Sequence, residues 1–258
     1  MTRWWGLALV VGLAACHRPA RGLAEAPDAT LRTAAEVGWW EERIRPDRLQ
    51  LLAGLLADAI EEADKCRVTP TEQCREISGR ATMRVEGGER RAMRLRGWQY
   101  QEVRLDGRAV VDTNMFTFDL RLEILDRDDD GPQWWAVQIE GTRDAAGHWR
   151  AEGDAAAQGH GRVHVRVEEL DVSEACKAEP WGGVMYLRSG ASEAVVRYDG
   201  ATACDEKGVA TWTLDGQPQG DVDVAGALRC AVGSGRGRAP VGLGLLVVLA
   251  LGRRRRAR

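Results

Sequence analysis

Residues 116–124 read Phe-Thr-Phe-Asp-Leu-Arg-Leu-Glu-Ile, so apolar and polar side chains alternate along the whole stretch. In an extended strand, successive side chains point to opposite faces, and this alternation therefore makes one apolar face and one polar face. A strand with one buried and one solvated face is typical of antiparallel sheets. The stretch predicts that the chain is built around an antiparallel β domain.

The same period of two recurs on both sides of this stretch and extends the predicted domain over residues 65–228. Alternation is clear at 163–167 and 210–214 and shorter near 83–85, 93–95 and 195–198. Turn signals separate these segments. They are Gly87-Gly88, Asp106-Gly107, Asp130-Gly131, Asp199-Gly200 and Asp215-Gly216. Short strands at this spacing predict an antiparallel β-sandwich or a barrel-like domain.

A helical segment is predicted before the β domain, over residues 31–64. Its apolar residues recur at steps of three and four, as on one face of a helix. They are Leu49, Leu52, Ala53, Leu56, Ile60 and Ala63. Breaks are expected near Gly38 and Pro46, and Pro46 fits the first turn of a second helix, with Asp47 at the positive end of its dipole. We expect the stripe to pack on the β domain; the alternative is a helix that binds a partner.

The N-terminus has the layout of a secretory signal over residues 1–15. Arg3 is followed by an apolar run from Trp4 to Leu13, which is too short to span a bilayer. The sequence Leu13-Ala14-Ala15-Cys16 resembles the lipobox of bacterial lipoproteins. The resemblance implies cleavage before Cys16 and a diacylglyceryl group on its sulfur. It also implies outer-membrane sorting rather than inner-membrane retention, because His17 stands where an Asp would retain the protein.

The C-terminus carries a second membrane signal. A Gly-rich linker at 229–240 precedes a short apolar helix and an Arg cluster at 241–258. By the positive-inside rule, the arginines stay in the cytoplasm and the body lies outside it. Together with Cys230, these features resemble the sorting tail of exported myxobacterial proteins, the MYXO-CTERM type, which implies cleavage by a membrane protease. The alternative is a plain C-terminal anchor.

Charge is unevenly divided between the ends and the body. The chain carries −3, but eight arginines lie in the two ends, so the body between them is near −11. An acidic body repels phosphate backbones, so we expect no nucleic-acid partner. The expected partners are membrane lipid at the termini, the signal and sorting proteases, and an unknown extracytoplasmic ligand. Residues 16–30, rich in small, polar and Pro residues, are expected to form a tether.

Four cysteines remain in the body, and an even number in an exported domain predicts two disulfides. They are Cys66, Cys74, Cys176 and Cys204. We favour the pairs Cys66–Cys74 and Cys176–Cys204 among the three possible connectivities. Zinc is disfavoured because the spacing contains no Cys-x-x-Cys.

One motif points to a metal. Asp126, Asp128 and Asp130 precede Gly131 in the spacing of the first half of a calcium loop, in which alternate carboxylates converge on one cation. The twelfth position is Val137 rather than Glu, so the motif is not an EF-hand. It predicts a calcium loop between two strands; the alternative is a metal-free acidic turn.

Other candidate residues give weaker signals. His160 and His164 would lie on one face of a strand about 13 Å apart, too far for one metal. Trp134 and Trp135 should face opposite sides of a strand, with the outward ring free to stack on a sugar or peptide. The sequence favours a non-catalytic structural or binding module of the cell envelope, with calcium as the expected stabilising ion in its acidic loop. The alternative is an envelope glycan hydrolase with a carboxylate pair in a cleft.

Overall fold

The computed structural model describes residues 22–68, 77–100, 103–125, 133–172, 180–198, 200 and 209–224. Within these ranges, helices α1 (Ala34–Ile44) and α2 (Pro46–Val68) precede eleven strands. The strands are β1 (Ile77–Glu86), β2 (Arg90–Tyr100), β3 (Val103–Asp112), β4 (Met115–Ile124), β5 (Gln133–Arg143), β6 (His148–Ala157), β7 (Gly161–Asp171), β8 (Gly182–Ser189), β9 (Ser192–Tyr198), β10 (Val209–Leu214) and β11 (Gln217–Asp223). The two terminal apolar segments lie outside the described residues.

The strands form one antiparallel sheet in which neighbours in the chain are neighbours in space. The order runs from β1 to β11 without a crossover, so β1 and β11 are the two ends of the sheet among the described residues. This confirms a mainly β, antiparallel domain behind an N-terminal helical segment. The expected sandwich or barrel-like layout takes the form of a single continuous sheet.

The alternation that predicted β4 also fixes which face of the sheet is inside. Every second side chain of β4, from Phe116 to Ile124, is at most 4% exposed. Leu122 lies opposite Leu105 of β3 and Trp135 of β5, so the apolar rows continue across strands. We call this side of the sheet the inner face and the opposite side the outer face.

Helix α2 covers the inner face. The predicted stripe from Leu49 to Ala63 is buried throughout, which confirms the helical period. The helix contacts β1, β3, β4 and β6, while α1 contacts β11 at the other end of the order. Because both ends and the middle of the sheet reach the same pair of helices, the sheet curls around them.

Helix α1 begins with a capping box and continues through Gly38. The Thr33 side chain accepts from the Glu36 backbone N–H, and the Glu36 carboxylate accepts from the Thr33 N–H. The expected break near Gly38 is wrong, whereas the break before Pro46 is confirmed. Gly38 serves close packing instead: a Cβ there would stand 3.0 Å from the backbone oxygen of Asp223, beside β11.

Two of the predicted turns are confirmed and one is wrong. Turns form at Gly87-Gly88 and at Asp215-Gly216. Asp106-Gly107 lies inside β3, where Gly107 has a φ of +128° and a Cβ would collide with the backbone oxygen of Asp119 on β4. The glycine therefore permits close approach of two strands and not a chain reversal.

A buried ion-pair network holds the corner between the two helices. Arg45 is 1% exposed; its Nη1 donates to Glu41 Oε1 at 2.9 Å and its Nε donates to Asp47 Oδ1 at 2.7 Å. The Tyr198 hydroxyl of β9 donates to the same Glu41 oxygen at 2.8 Å. Arg45 also donates to the carbonyl of Val224, just beyond β11. The corner is thereby joined to the last strands of the sheet.

Replacing Arg45 by Met should lower the free energy of unfolding by about 3–5 kcal/mol, because it removes the cation that pairs with the buried Glu41 and with Asp47. Urea denaturation measures the change. Arg150→Met is the control: Arg150 pairs with Glu169 at 3.4 Å on the surface, and its loss should cost no more than about 1 kcal/mol. Equal effects of the two substitutions would contradict a stabilising role of the buried network.

The network should also make stability depend on pH. Burial raises the pKa of Glu41 above its ordinary value of 4.5, against the opposing effect of Arg45 and the Tyr198 hydroxyl. A raised folded-state pKa gives stability that is present below pH 4.5 and is lost as pH rises through the folded value. Glu41→Gln cannot titrate, so wild type should lose stability relative to this variant as pH rises from 4.5. A difference that stays constant with pH in urea denaturation would refute the assignment.

Candidate functional site

The outer face of the sheet contains local groups of like charge. Its basic part lies on β1–β3 and comprises five exposed arginines, which we call the Arg face. They are Arg80, Arg84, Arg94, Arg96 and Arg108. Within the described residues, none of the five makes an ion pair or a side-chain hydrogen bond. They alternate with inward residues such as Ala81, Met93 and Leu95, so the same period of two that builds the core brings them together.

The register of the strands places like charges directly against each other on the Arg face. Arg80 lies opposite Arg96, and Arg94 lies opposite Arg108. From ordinary strand spacing and rise, the five side chains start within a patch of about 10 by 13 Å. Like charges opposite each other destabilise a sheet, and an anion between the guanidinium groups would remove that repulsion. Guanidinium forks match the oxygen pairs of phosphate and carboxylate groups.

The acidic part of the outer face lies on β4–β6. Glu140 of β5 is opposite Glu152 of β6, and both are exposed. Beside them, His164 of β7 places Nδ1 3.2 Å from Asp154 and Nε2 3.5 Å from Glu152. This carboxylate pair stands on the outer face of the sheet. The predicted hydrolase cleft would instead need the two groups to flank a substrate on both sides.

Residues 22–31, which we call the N-terminal latch, run over the outer face of β4–β6 and on to the first residues of β7 and the end of β8. Leu23 is 4% exposed and packs with Ala136 and Ala156 against the outward ring of Trp134. Further along, the Ala29 N–H donates to the Arg162 carbonyl at 3.0 Å, and Leu31 enters the main core. Residues 22–30 are thus packed on the sheet and are not the flexible tether that was expected; residues 16–21 lie outside the described part.

The two adjacent tryptophans of β5 face opposite sides, as predicted. Trp135 packs on the main core and Trp134 on the outer face, and both are half-buried. The Arg121 guanidinium lies 4.7 Å from the centre of the Trp134 ring. A Cβ on Gly22 would lie 3.3 Å from the same ring. The expected sugar-stacking position is therefore occupied by the protein's own side chain and latch.

His160 lies elsewhere than predicted. It occupies the turn between β6 and β7, so it does not share a strand with His164. Its ring stacks on Trp39 of α1 with centroids 3.6 Å apart, and Arg43 lies 4.1 Å from the Trp39 centroid. Partial burial, with a further contribution from Arg43, lowers the pKa of His160. The stack is a structural contact between a turn and a helix.

Most of the residues predicted from motifs lie outside the described part of the chain. This holds for Cys16, Cys230, Cys74, Cys176 and Cys204, and for Asp126, Asp128 and Asp130. Cys66 is half-buried in α2 and is disulfide-bonded; its pairing stays a prediction. Among the described residues, no three His, Cys, Asp or Glu side chains are grouped to hold a metal. Among the same residues, neither helix is both long enough and apolar enough to cross a membrane.

Comparison with known proteins gives no match to a protein family, to a curated protein or to a solved structure. No match therefore indicates what the Arg face binds. Sequence reasoning missed it because net charge was taken over the whole body. The signal was present in residues 80–96, where arginines alternate with apolar residues on both sides of the Gly87-Gly88 turn.

Leu23→Asp should release the latch, because it places a charge in the small outer cluster that Leu23 closes. Losing the burial of one leucine corresponds to about 2 kcal/mol, so the backbone amides of Ala29 and Arg162 should exchange about 10- to 100-fold faster. Hydrogen exchange with mass spectrometry measures this. Leu51→Asp is the matched control, since Leu51 is 40% exposed on α2. Unchanged protection of Ala29 in Leu23→Asp would show that the latch does not depend on Leu23.

Proposed function

We propose that the protein is a non-catalytic binding module of the cell envelope that holds an anionic partner on its Arg face. The observation that carries this proposal is the group of five exposed arginines that lack an acidic partner within the described residues. Acidic residues are plentiful nearby, and other arginines of the same face use them: Arg104 is 3.7 Å from Asp106 and Arg121 is 2.8 Å from Glu123. The Arg face is left available for an external anion.

The packing of the inner face supports a binding role for the outer face. Side chains of β4 and β7 that point inward are buried against α2 and its neighbours, and Trp40, Trp98 and Trp149 fill the same interior. Because the interior is filled, a partner has to be bound at the surface. Charge complementarity at a surface gives specificity and fast association.

The envelope location is supported by the two chain ends. A diacylglyceryl group on Cys16 would hold the protein at a membrane, and the apolar segment with its Arg cluster at 241–258 would be the substrate of a sorting protease acting near Cys230. We also propose that Asp126, Asp128 and Asp130, in the connection between β4 and β5, hold calcium and so stabilise the domain.

Binding of a soluble polyanion tests the proposal directly. We compare the full chain in neutral detergent with two triple variants that remove the same charge, and titrate each with fluorescent inorganic polyphosphate. The Arg-face variant is Arg94→Gln, Arg96→Gln, Arg108→Gln. The control variant is Arg150→Gln, Arg188→Gln, Arg197→Gln, from exposed positions on β6, β8 and β9.

Wild type should bind polyphosphate, and the affinity should fall with salt because binding releases counterions. The Arg-face variant should bind at least 10-fold more weakly, and the control variant should lose less than about 3-fold. Equal losses in the two variants would indicate nonspecific charge and would overturn the assignment of the site. Release of soluble fragments from peptidoglycan by the full chain would overturn the non-catalytic class.

A further inference from the structure

The Arg face and the N-terminal latch lie on the same side of the sheet. Gly22, the first described residue, stands beside the Arg121 side chain on β4: a Cβ there would overlap it. Arg108 of β3 is opposite Asp119 of β4, two residues from Arg121. From strand spacing and rise, Arg108 therefore lies about 8 Å from Arg121, the residue that Gly22 contacts.

The latch makes the remaining connection to Cys16 short. Only five residues lie between Cys16 and Gly22, and the six steps that join them correspond to at most about 20 Å of extended chain. If the whole of residues 16–30 formed a tether, the connection between Cys16 and the folded domain could have extended to about 50 Å. If Cys16 carries the lipid, the outer face near β4 and β5, where Gly22 lies, is held within about 20 Å of the bilayer surface.

The shape of the Arg face suits a planar partner. The outward residues between the arginines are Thr82, Ala92 and Val110, which are small. The arginines therefore stand above a low, open surface, whereas small molecules are usually bound in concave sites. No aromatic ring lies among these outward positions of β1–β3, so the stacking contacts typical of single-stranded nucleic acid and glycan sites are not offered there.

We infer that the Arg face docks on the anionic phospholipid headgroups of the membrane that carries the N-terminal lipid. This inference rests on the proposed function, because it names the anionic partner. The lipid fixes the protein to the bilayer, and the arginines fix its orientation by lying on the phosphates. The acidic pair Glu140 and Glu152 lies two and three strands beyond β3, outside the group of arginines that would contact the phosphates.

The test uses the full chain with Cys16→Ser, which cannot be acylated, and vesicles of two compositions. One set contains phosphatidylcholine alone, and the other contains 30% phosphatidylglycerol in phosphatidylcholine. Binding is measured by flotation in low salt. Apolar chain ends would insert into both sets alike, so the ratio between the two sets isolates the electrostatic part.

The parent chain should prefer the phosphatidylglycerol vesicles, and salt at 0.5 M should abolish the preference. The Arg-face triple variant should lose about 100-fold in affinity for these vesicles, the sum expected for three arginines near an anionic surface. The control triple variant should lose less than about 3-fold. Both variants are first checked for an unchanged melting temperature, which removal of opposed like charges should not lower.

Two outcomes would overturn the inference. One is equal binding of the parent chain and the Arg-face variant to phosphatidylglycerol vesicles. The other is tight binding of polyphosphate, acidic glycan or duplex DNA without a preference for phosphatidylglycerol, which would leave the proposed function standing and assign the Arg face to a soluble polyanion. Absence of binding to every anionic probe would refute the proposed function itself.

Discussion

The cover that α2 gives to the inner face is the interaction on which the rest of the structure depends. A single sheet has two faces, and an apolar face left in water would bring neither stability nor solubility. Here the buried stripe of α2 reaches strands from β1 to β6, and α1 completes the cover at β11. The curl of the sheet follows from this arrangement, because one pair of helices must meet strands that are far apart in the order.

The corner between the helices explains how that cover is held in one position. Apolar packing alone is tolerant of sliding, whereas the Arg45 network has fixed partners on α1, α2, β9 and the segment after β11. Its charges are costly to bury, and Glu41 Oε2 finds no hydrogen-bond partner among the described residues. We expect this network to fix the position of the helices, because any displacement would leave its buried charges unpaired.

The sequence predicts the parts of the fold that depend on local periods. The alternation at 116–124 and the stripe of α2 follow from side-chain geometry within one element, and both are confirmed. The period of two fails in a strand where packing against a distant part of the chain changes the backbone. Gly97 interrupts the pairing of β2 with β3, so Leu95 and Trp98 both point inward although they are three residues apart. Gly38 and Gly107 were read as breaks because their role, close approach to a distant backbone, is invisible in the local sequence.

The latch was missed for a related reason. Its small and polar residues have the composition of a tether, and only Leu23 and Leu31 hint at burial. The residues that hold it, Arg162 and Ser189, are more than 130 positions away in the chain. Composition does not reveal a contact between residues that are so far apart in the sequence. The distance that the N-terminal segment can span therefore follows from the fold and not from the composition.

The net charge of the body does not show how charge is distributed over its surface. A body near −11 was expected to repel anions, yet the register places arginines opposite each other on β1–β3 and carboxylates opposite each other on β5 and β6. Each opposition costs stability, and pairing the two sets across neighbouring strands would have removed both costs. Arg104 and Arg121 instead pair with acidic residues two positions further along their own strands. The five arginines that make no ion pair within the described residues are the feature on which the proposed binding of an external anion rests.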